Sequence, residues 1–305
     1  MNSPSLSFQT ATPTVSFIIP TYDRWELLSR CVQSILTIDY GSIEVLVVSD
    51  GSCDNVTNVI DSARAAAEST TNTWTIRHIV SDSCEAGTNR RLGHRYAVGQ
   101  YRVFVDDDDF IIDPHYLRTA VDLMEDWDEI GAVLHNAMIF KNETYSSSHR
   151  LNQHGYVDKV RLLRGWRTSI LKPLSTVPTV FKAEALDTGG ANDMVIMEDS
   201  AICARCFLSA GAWFSSRYVA AYAVHSQNAS QSPNWEYLER QIGEYQRMLG
   251  RLPDEINADS WFGAQVLDII RFYFANSPNP DRDRVECFIA NNAPQIRDYL
   301  MKGKK

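Results

Sequence analysis

The residues best suited to chemistry are four consecutive aspartates, Asp106-Asp107-Asp108-Asp109, placed directly after the apolar run Val103-Phe104-Val105. Adjacent carboxylates repel one another unless cations or hydrogen-bond donors compensate. Hard oxygen ligands of this kind suit Mg²⁺ or Mn²⁺, above all an ion that also holds substrate phosphates. The plainer alternative is a solvated acidic turn, and the run taken alone does not decide between the two. An EF-hand loop is excluded because its D-x-D-x-D-G spacing is absent. Asp50 opens Asp50-Gly51-Ser52-Cys53-Asp54; it could accept hydrogen bonds from a base or ribose, or simply form an Asp-Gly turn. Glu198-Asp199 begins a helical pattern, where an acidic pair serves either as a cap or as a general base. His225 is a lone histidine, either structural or a ligand for a metal or pyrophosphate.

The elements that position these groups follow from periodicity. Residues 15–20, 44–49, 74–80 and 102–105 read as short buried strands, and 25–36, 56–68 and 87–98 as helices. Strand and helix alternate, the pattern of a parallel sheet with crossover helices. Ligands bind such sheets at the carboxyl ends of the strands, and the segments 20–24, 50–54 and 106–109 all fall there. Further on, 116–127 reads as helix, 131–140 as strand, 142–155 as polar loop, 176–181 as strand, 198–210 as helix and 213–224 as strand. The tail from Asn234 is helical, with breaks near Pro253 and over 277–280. Its segment 261–274 is apolar on most sides, which fits burial in this fold better than a face for subunit association or shallow membrane contact.

Composition narrows the class. The chain has 305 residues and a net charge of -9, from 38 acidic and 29 basic side chains. That balance argues against nonspecific attraction to nucleic acid or anionic membrane, while a bound metal would still admit a phosphate-bearing ligand. Cys203 and Cys206 form a C-x-x-C without a second pair, so reduced cytoplasmic thiols are expected rather than zinc. The polar N-terminus lacks a signal-peptide pattern, and no run reaches the length of a bilayer span.

Taken in order, V-S-F-I-I-P-T-Y-D-R, E-V-L-V-V-S-D-G-S-C-D and V-F-V-D-D-D-D resemble the family 2 glycosyltransferases. So do Asn89-Arg90-Arg91-Leu92-Gly93, Gly189-Gly190-Ala191-Asn192, Met197-Glu198-Asp199 followed by Arg205, and His225 followed by Ser230 and Ser232. The resemblance covers roughly residues 15–232. The sequence departs from the family at Ser49, where an acidic residue is usual, at Arg91 in place of Asn, and at Asp23 in place of Asn.

The resemblance implies an α/β protein of GT-A fold, with a mostly parallel Rossmann-like sheet flanked by helices and a helical C-terminal extension. It divides the chain into a flexible N-terminus (1–14), a nucleotide-sugar-binding half (15–114), an acceptor-binding half (115–232) and the extension (233–305). The implied activity is inverting transfer of a sugar from a UDP-, GDP- or dTDP-sugar to a hydroxyl of a glycan, lipid-linked or small-molecule acceptor. By the same resemblance, Pro20, Tyr22, Arg24, Asp50, Arg90, Asp106 and Asp107 bind the donor. Asp108 and His225 hold Mn²⁺ or Mg²⁺, and Asp199 is the base with Glu198 as its fallback. Counting forward from Arg90 makes Asp106-Asp107-Asp108 the D-x-D; counting back from Pro114 shifts it to Asp107 and Asp109, and the first register is preferred. The expected setting is cytoplasmic, or peripheral at the inner membrane face, with no nucleic-acid partner; a homo-oligomer would form through the C-terminal helices. Two rivals stand beside this reading. A sugar-phosphate nucleotidyltransferase would need a Gly-rich basic loop where Pro20-Thr21-Tyr22-Asp23-Arg24 stands, and a noncatalytic nucleotide-sugar binding protein would have no use for Glu198-Asp199. A dehydrogenase is disfavoured because no G-x-G-x-x-G follows the first strand.

Overall fold

Strand β1 (Val15–Thr21) is buried along its whole length, and it lies at the middle of the parallel part of the sheet. A computed structural model of the chain describes residues 14–51, 54–225 and 233–296. After β1 come α1 (Trp25–Leu36), β2 (Ser42–Asp50), α2 (Asp54–Ala67), β3 (Thr73–Ser81), α3 (Ala86–Tyr96) and β4 (Tyr101–Phe104). The second half carries β5 (Phe110–Ile111), α4 (Tyr116–Asp126), β6 (Ile130–Lys141), β7 (Thr144–Ser146), β8 (Gly155–Val157) and α5 (Lys159–Gly165). It continues with β9 (Thr179–Lys182), α6 (Ala183–Thr188), α7 (Asp199–Ser209) and β10 (Gly211–Ala223), then α8 (Trp235–Met248), α9 (Ala258–Asn276) and α10 (Arg282–Asn292).

The sheet order is β3-β2-β1-β4-β9-β6-β10-β5, with β7 on β6 and β8 on β10. β3, β2, β1 and β4 are mutually parallel, the expected crossover block. The second half is mixed: β6 and β10 are parallel, but β9 runs against both β4 and β6. β9 is entered from the carboxyl edge of the sheet, where Ser175 reaches Asp109, so its chain runs back across the sheet. The strands at 15–20, 44–49, 74–80 and 131–140 stand within a few residues of their expected limits. The loop expected at 142–155 contains β7 and the start of β8, and α5 and α6 are too short for periodicity to reveal.

Successive strand residues point to opposite faces, and two apolar layers result. Phe17, Ile19, Val45 and Val47 pack beneath α1, α2 and α4 through Val32, Ile60 and Val121. Ile18, Leu46 and Phe104 face the other layer, with Leu162 of α5, Ile202 of α7, Leu238 of α8 and Val266 of α9. The apolar segment 261–274 therefore lies in the core, as expected. Trp261 Nε1 donates to the Leu163 carbonyl at 2.9 Å, and Arg167 Nε donates to Asp268 at 2.8 Å. Cys203 and Cys206 are buried on α7 in the same layer, and burial pushes both thiols up. Among the described residues no helix is long and apolar enough to cross a membrane. Residues 1–13, Ser52, Cys53, Ser230 and Ser232 lie outside the described residues.

Candidate active site

The four aspartates leave β4 in a tight turn, closed by the Asp109 amide donating to the Asp106 carbonyl at 3.0 Å. Val105, Asp107 and Asp109 are fully buried or nearly so, while the Asp106 side chain is 26% exposed. Asp107 has no exposed surface. Thr21 Oγ1 donates to it at 2.6 Å and Arg24 Nε at 3.2 Å, with a second Arg24 contact forming an ion pair. Burial pushes the Asp107 carboxyl up to about 7, against the opposing pull of Arg24 and Thr21. Asp108 accepts from Arg24 Nη1 at 3.1 Å and lies 2.9 Å from His225 Nε2, while Arg30 Nη2 donates to its carbonyl at 2.7 Å. Asp109 accepts from Ser175 Oγ at 2.8 Å and from the Ala223 amide at 3.0 Å, and burial holds its carboxyl well above the usual range. Asp106, Asp108 and Asp109 each offer one oxygen, and the three lie within 4.8 Å of one another. Such an all-oxygen donor set fits a hard divalent cation.

The turn before α1 places Arg24. Asp23 has φ of 46°, in the left-handed region that Asn and Asp tolerate better than most residues, which accounts for an acid where Asn would also serve. Asp50 stands partly exposed at the end of β2, and its side chain makes no hydrogen bond among the described residues. Ser49, the departure from the family pattern, is held by His78 Nε2 at 2.7 Å.

Arg90 joins the acidic cluster to Asp199. Its side chain is 6% exposed; one end pairs with Asp106, and Nη1 lies 3.0 Å from Asp199 Oδ1 and donates to the Met197 carbonyl at 3.0 Å. Two glycines allow this approach. A Cβ on Gly93 would sit 2.4 Å from Ile18 Cγ2, and one on Gly87 would sit 2.4 Å from Ile196 Cγ1. α3 therefore lies against β1 on one side and against the 195–197 segment on the other. Glu198 is the N-cap of α7 and accepts from the Ala201 amide at 3.0 Å. Burial works to raise the Glu198 carboxyl, but Lys172, Arg167 and the helix amides together hold it below its usual range. Asp199 has no capping duty, and its side chain keeps 24% exposure. Burial, against the pull of Arg90, pushes it up to about 6. It lines a small cleft with Lys172, Pro173, Ser175, Thr176 and Ser200.

Of the residues expected in the site, Arg24, Arg90, Asp106, Asp107, Asp108, Asp199 and His225 form one chain of contacts. Pro20 is buried within β1, paired in register with Val48, and Tyr22 is 55% exposed beside it. A ribose contact does not fit Asp107, because a carboxylate with no exposed surface serves to hold Arg24 instead. Thr21, Arg30, Lys172, Ser175 and the Ala223 amide were not legible as site residues. Their roles arise only where distant segments meet, and nothing in their local spacing marks them.

A family model described as Glycosyl transferase family 2 matches residues 16–187. A Nostoc protein named as an uncharacterised glycosyltransferase is 30% identical over 129 residues, 42% of this chain and 38% of its own length. A Campylobacter jejuni GalNAc(5)-diNAcBac-PP-undecaprenol β-1,3-glucosyltransferase is 28% identical over 102 residues, 33% of this chain and 31% of its own. The matched region thus spans well under half the length of these curated relatives. Among solved structures, S. aureus TarS 1-349 in complex with UDP-GlcNAc aligns with a TM-score of 0.64 at 16% identity, covering 93% of this chain and 77% of that one. The mannosyltransferase PcManGT from Pyrobaculum calidifontis, in complex with GDP-Man and Mn²⁺, aligns with a TM-score of 0.55 at 17% identity, covering 96% and 83%.

Proposed function

The chain belongs to glycosyl transferase family 2 and has the GT-A fold, and from that premise we propose that it transfers a sugar, with inversion, from a nucleoside-diphosphate sugar to an acceptor hydroxyl. The observation that carries the reading is the Arg90 bridge, which ties the acidic cluster at the end of β4 to a partly exposed carboxylate at the start of α7. The donor half is 15–114 and the acceptor half 115–232. Asp50, Tyr22 and Arg24 would contact the nucleotide, and solved neighbours bound to UDP-GlcNAc and GDP-Man support a donor of that class. Asp106 and Asp108, with Asp109 behind them and His225 beside them, would hold Mn²⁺ or Mg²⁺. A bound divalent cation supplies Lewis-acid stabilisation to the departing diphosphate.

The chain's own groups do the rest. Arg24 and Arg90 keep the carboxylates oriented and partly neutralised. Asp199 accepts the acceptor hydroxyl's proton as that oxygen attacks the anomeric carbon from the face opposite the leaving diphosphate. A carboxylate near 6 is a suitable base at neutral pH: it is ionised, yet more basic than an ordinary aspartate. Glu198 is committed to the helix cap and held low, so it is poorly placed for that task.

Calorimetry tests the donor and metal reading directly. UDP or GDP should bind substantially more tightly with Mn²⁺ or Mg²⁺ than with EDTA. Equal affinity in the two conditions would remove Asp108 as a metal ligand.

The pH dependence tests the base. The reacting form is the ionised one, so kcat/KM should fall tenfold per pH unit as pH drops below about 6 and level off above it. A profile flat between about pH 5 and 8 would mean that no carboxyl of this kind limits transfer.

A further inference from the structure

A basic hollow lies away from the aspartate cluster, on the second half of the molecule. It has a volume of about 240 Å³ and is lined by Arg150, Leu151, Asn152, Gln153, His154 and Ser216. The lining offers a guanidinium, an imidazole, two carboxamides and a hydroxyl, and no carboxylate. Neither Arg150 nor His154 makes a hydrogen bond or ion pair among the described residues. The surrounding sequence is biased the same way: residues 141–174 hold seven Lys or Arg against two Asp or Glu, in a chain of net charge -9.

The hollow is built rather than incidental. One wall is the 150–154 segment, and the other is a bulge in β10, where the register with β6 slips between Phe214 and Tyr218. Bulges of this kind re-aim side chains and recur beside binding sites. The buried Asn136 fixes both walls, accepting from the Leu151 amide at 2.8 Å and donating to the Ser215 carbonyl at 3.3 Å. Behind Gln153, Arg161 Nη2 donates to its Oε1 at 2.9 Å and adds a further cation.

The hollow is also tied to the cleft of Asp199. Asn152 donates to the Ser169 carbonyl at 2.7 Å and accepts from the Leu171 amide at 2.9 Å, and His149 lies 3.0 Å from the Lys172 carbonyl. Lys172 in turn lines the cleft that holds Asp199. One short stretch, 169–172, therefore borders both places. The volume is below the roughly 300–1,000 Å³ usual for a drug-sized ligand, and it suits a single phosphate ester better than a nucleotide-sugar.

We propose that the hollow of Arg150, His154, Asn152, Gln153 and Ser216 is a phosphate subsite for the acceptor, so that the acceptor is a phosphate-bearing molecule extending from the Asp199 cleft. This rests on the transferase reading for the acceptor role, while anion binding in the hollow stands on the geometry alone. A guanidinium fork with neighbouring hydroxyl and amide donors matches a tetrahedral oxyanion.

The test titrates the full chain, saturated with UDP and Mg²⁺ so that the donor site is filled, with sn-glycerol 3-phosphate, glycerol and glucuronate. Wild type should bind glycerol phosphate and neither of the other two. The double variant Arg150→Gln, His154→Gln should bind it about tenfold more weakly or worse, because charge-assisted contacts are lost. Both side chains are exposed, so the variant's melting point and UDP affinity should match wild type, which separates a lost subsite from a misfolded chain. Glycerol phosphate binding that is absent from wild type, unchanged in the variant, or equalled by glucuronate would overturn the proposal. Failure of UDP itself to bind with Mg²⁺ would instead overturn the donor reading and leave the phosphate result to stand. Vesicles containing phosphatidylglycerol then identify the source: co-sedimentation that the variant loses points to a lipid phosphate, and soluble binding without co-sedimentation points to a water-soluble acceptor.

Discussion

Asp199→Asn should lower sugar transfer by about 10²–10⁴-fold, the usual contribution of a positioned general base, while the affinity for nucleotide and the melting point stay near wild type. The substitution keeps the shape and removes the proton acceptor. Asp199 accepts no helix amide, since that duty falls to Glu198, so the start of α7 should survive. Donor binding should change little because Arg90 and Arg24 remain on the aspartate cluster. The companion variant Glu198→Gln should behave differently. It weakens the cap at a cost of about 1 kcal/mol and should lower the melting point while leaving turnover per folded molecule nearly intact. If Glu198→Gln proved inactive and Asp199→Asn active, the base would be Glu198. If Asp199→Asn lost donor affinity as steeply as rate, the carboxylate would belong to the metal site.

How the four aspartates divide their work shows what the sequence could and could not reveal. Two registers were open, and Asp106, Asp108 and Asp109 each bring an oxygen within 4.8 Å of one another, so residues of both registers share the cluster. Asp107 is turned wholly into the interior, and of the four only Asp106 keeps appreciable side-chain exposure, 26%. The turn that sorts them, closed by the Asp109 amide on the Asp106 carbonyl at 3.0 Å, is not readable from β4, whose residues are all buried. The partner of Asp107 was not available. Thr21 and Arg24 lie 86 and 83 residues away, and only the pairing of β1 with β4 brings them to it. The same holds for the second half of the sheet. Periodicity located 176–181 as a strand, but its direction, antiparallel to both β4 and β6, emerges only from pairing with segments distant in sequence. The helical tail was legible as apolar and helical. Its buried Glu244, which accepts from the Val195 amide at 2.7 Å and the Ile196 amide at 3.1 Å, was not; it braces the segment leading to Asp199 from a helix 49 residues on.

Arg90→Met should damage the site more broadly than loss of either carboxylate, because one buried guanidinium serves both. Methionine fills much of the volume, so the change isolates the charge and its hydrogen bonds. Removing one partner of a buried ion pair costs about 3–5 kcal/mol. Asp106 and Asp199 each keep about a quarter of their side-chain exposure, 26% and 24%, so water compensates in part and a loss of about 2–3 kcal/mol is expected. Transfer should fall by about 10²-fold or more, since both the cluster and the base are released from a shared anchor. The pH dependence gives a sharper signature. Arg90 opposes the effect of burial on Asp199, so its loss moves the acid limb of the rate profile above 6. Stability should follow the same logic. A carboxylate whose folded pKa lies above its unfolded value penalises folding once pH exceeds the unfolded value, and fully above the folded one. The variant's deficit should therefore be larger at about pH 8 than at about pH 5. Mg²⁺ restores positive charge beside Asp106 and should raise the variant's melting point by more than it raises that of wild type. Arg90→Lys keeps the charge but lacks the fork needed to reach Asp106, Asp199 and the Met197 carbonyl together; it should recover stability more than rate. A variant with an unmoved acid limb and a pH-independent deficit would show that Arg90 fills space between α3 and α7 and does not govern the base.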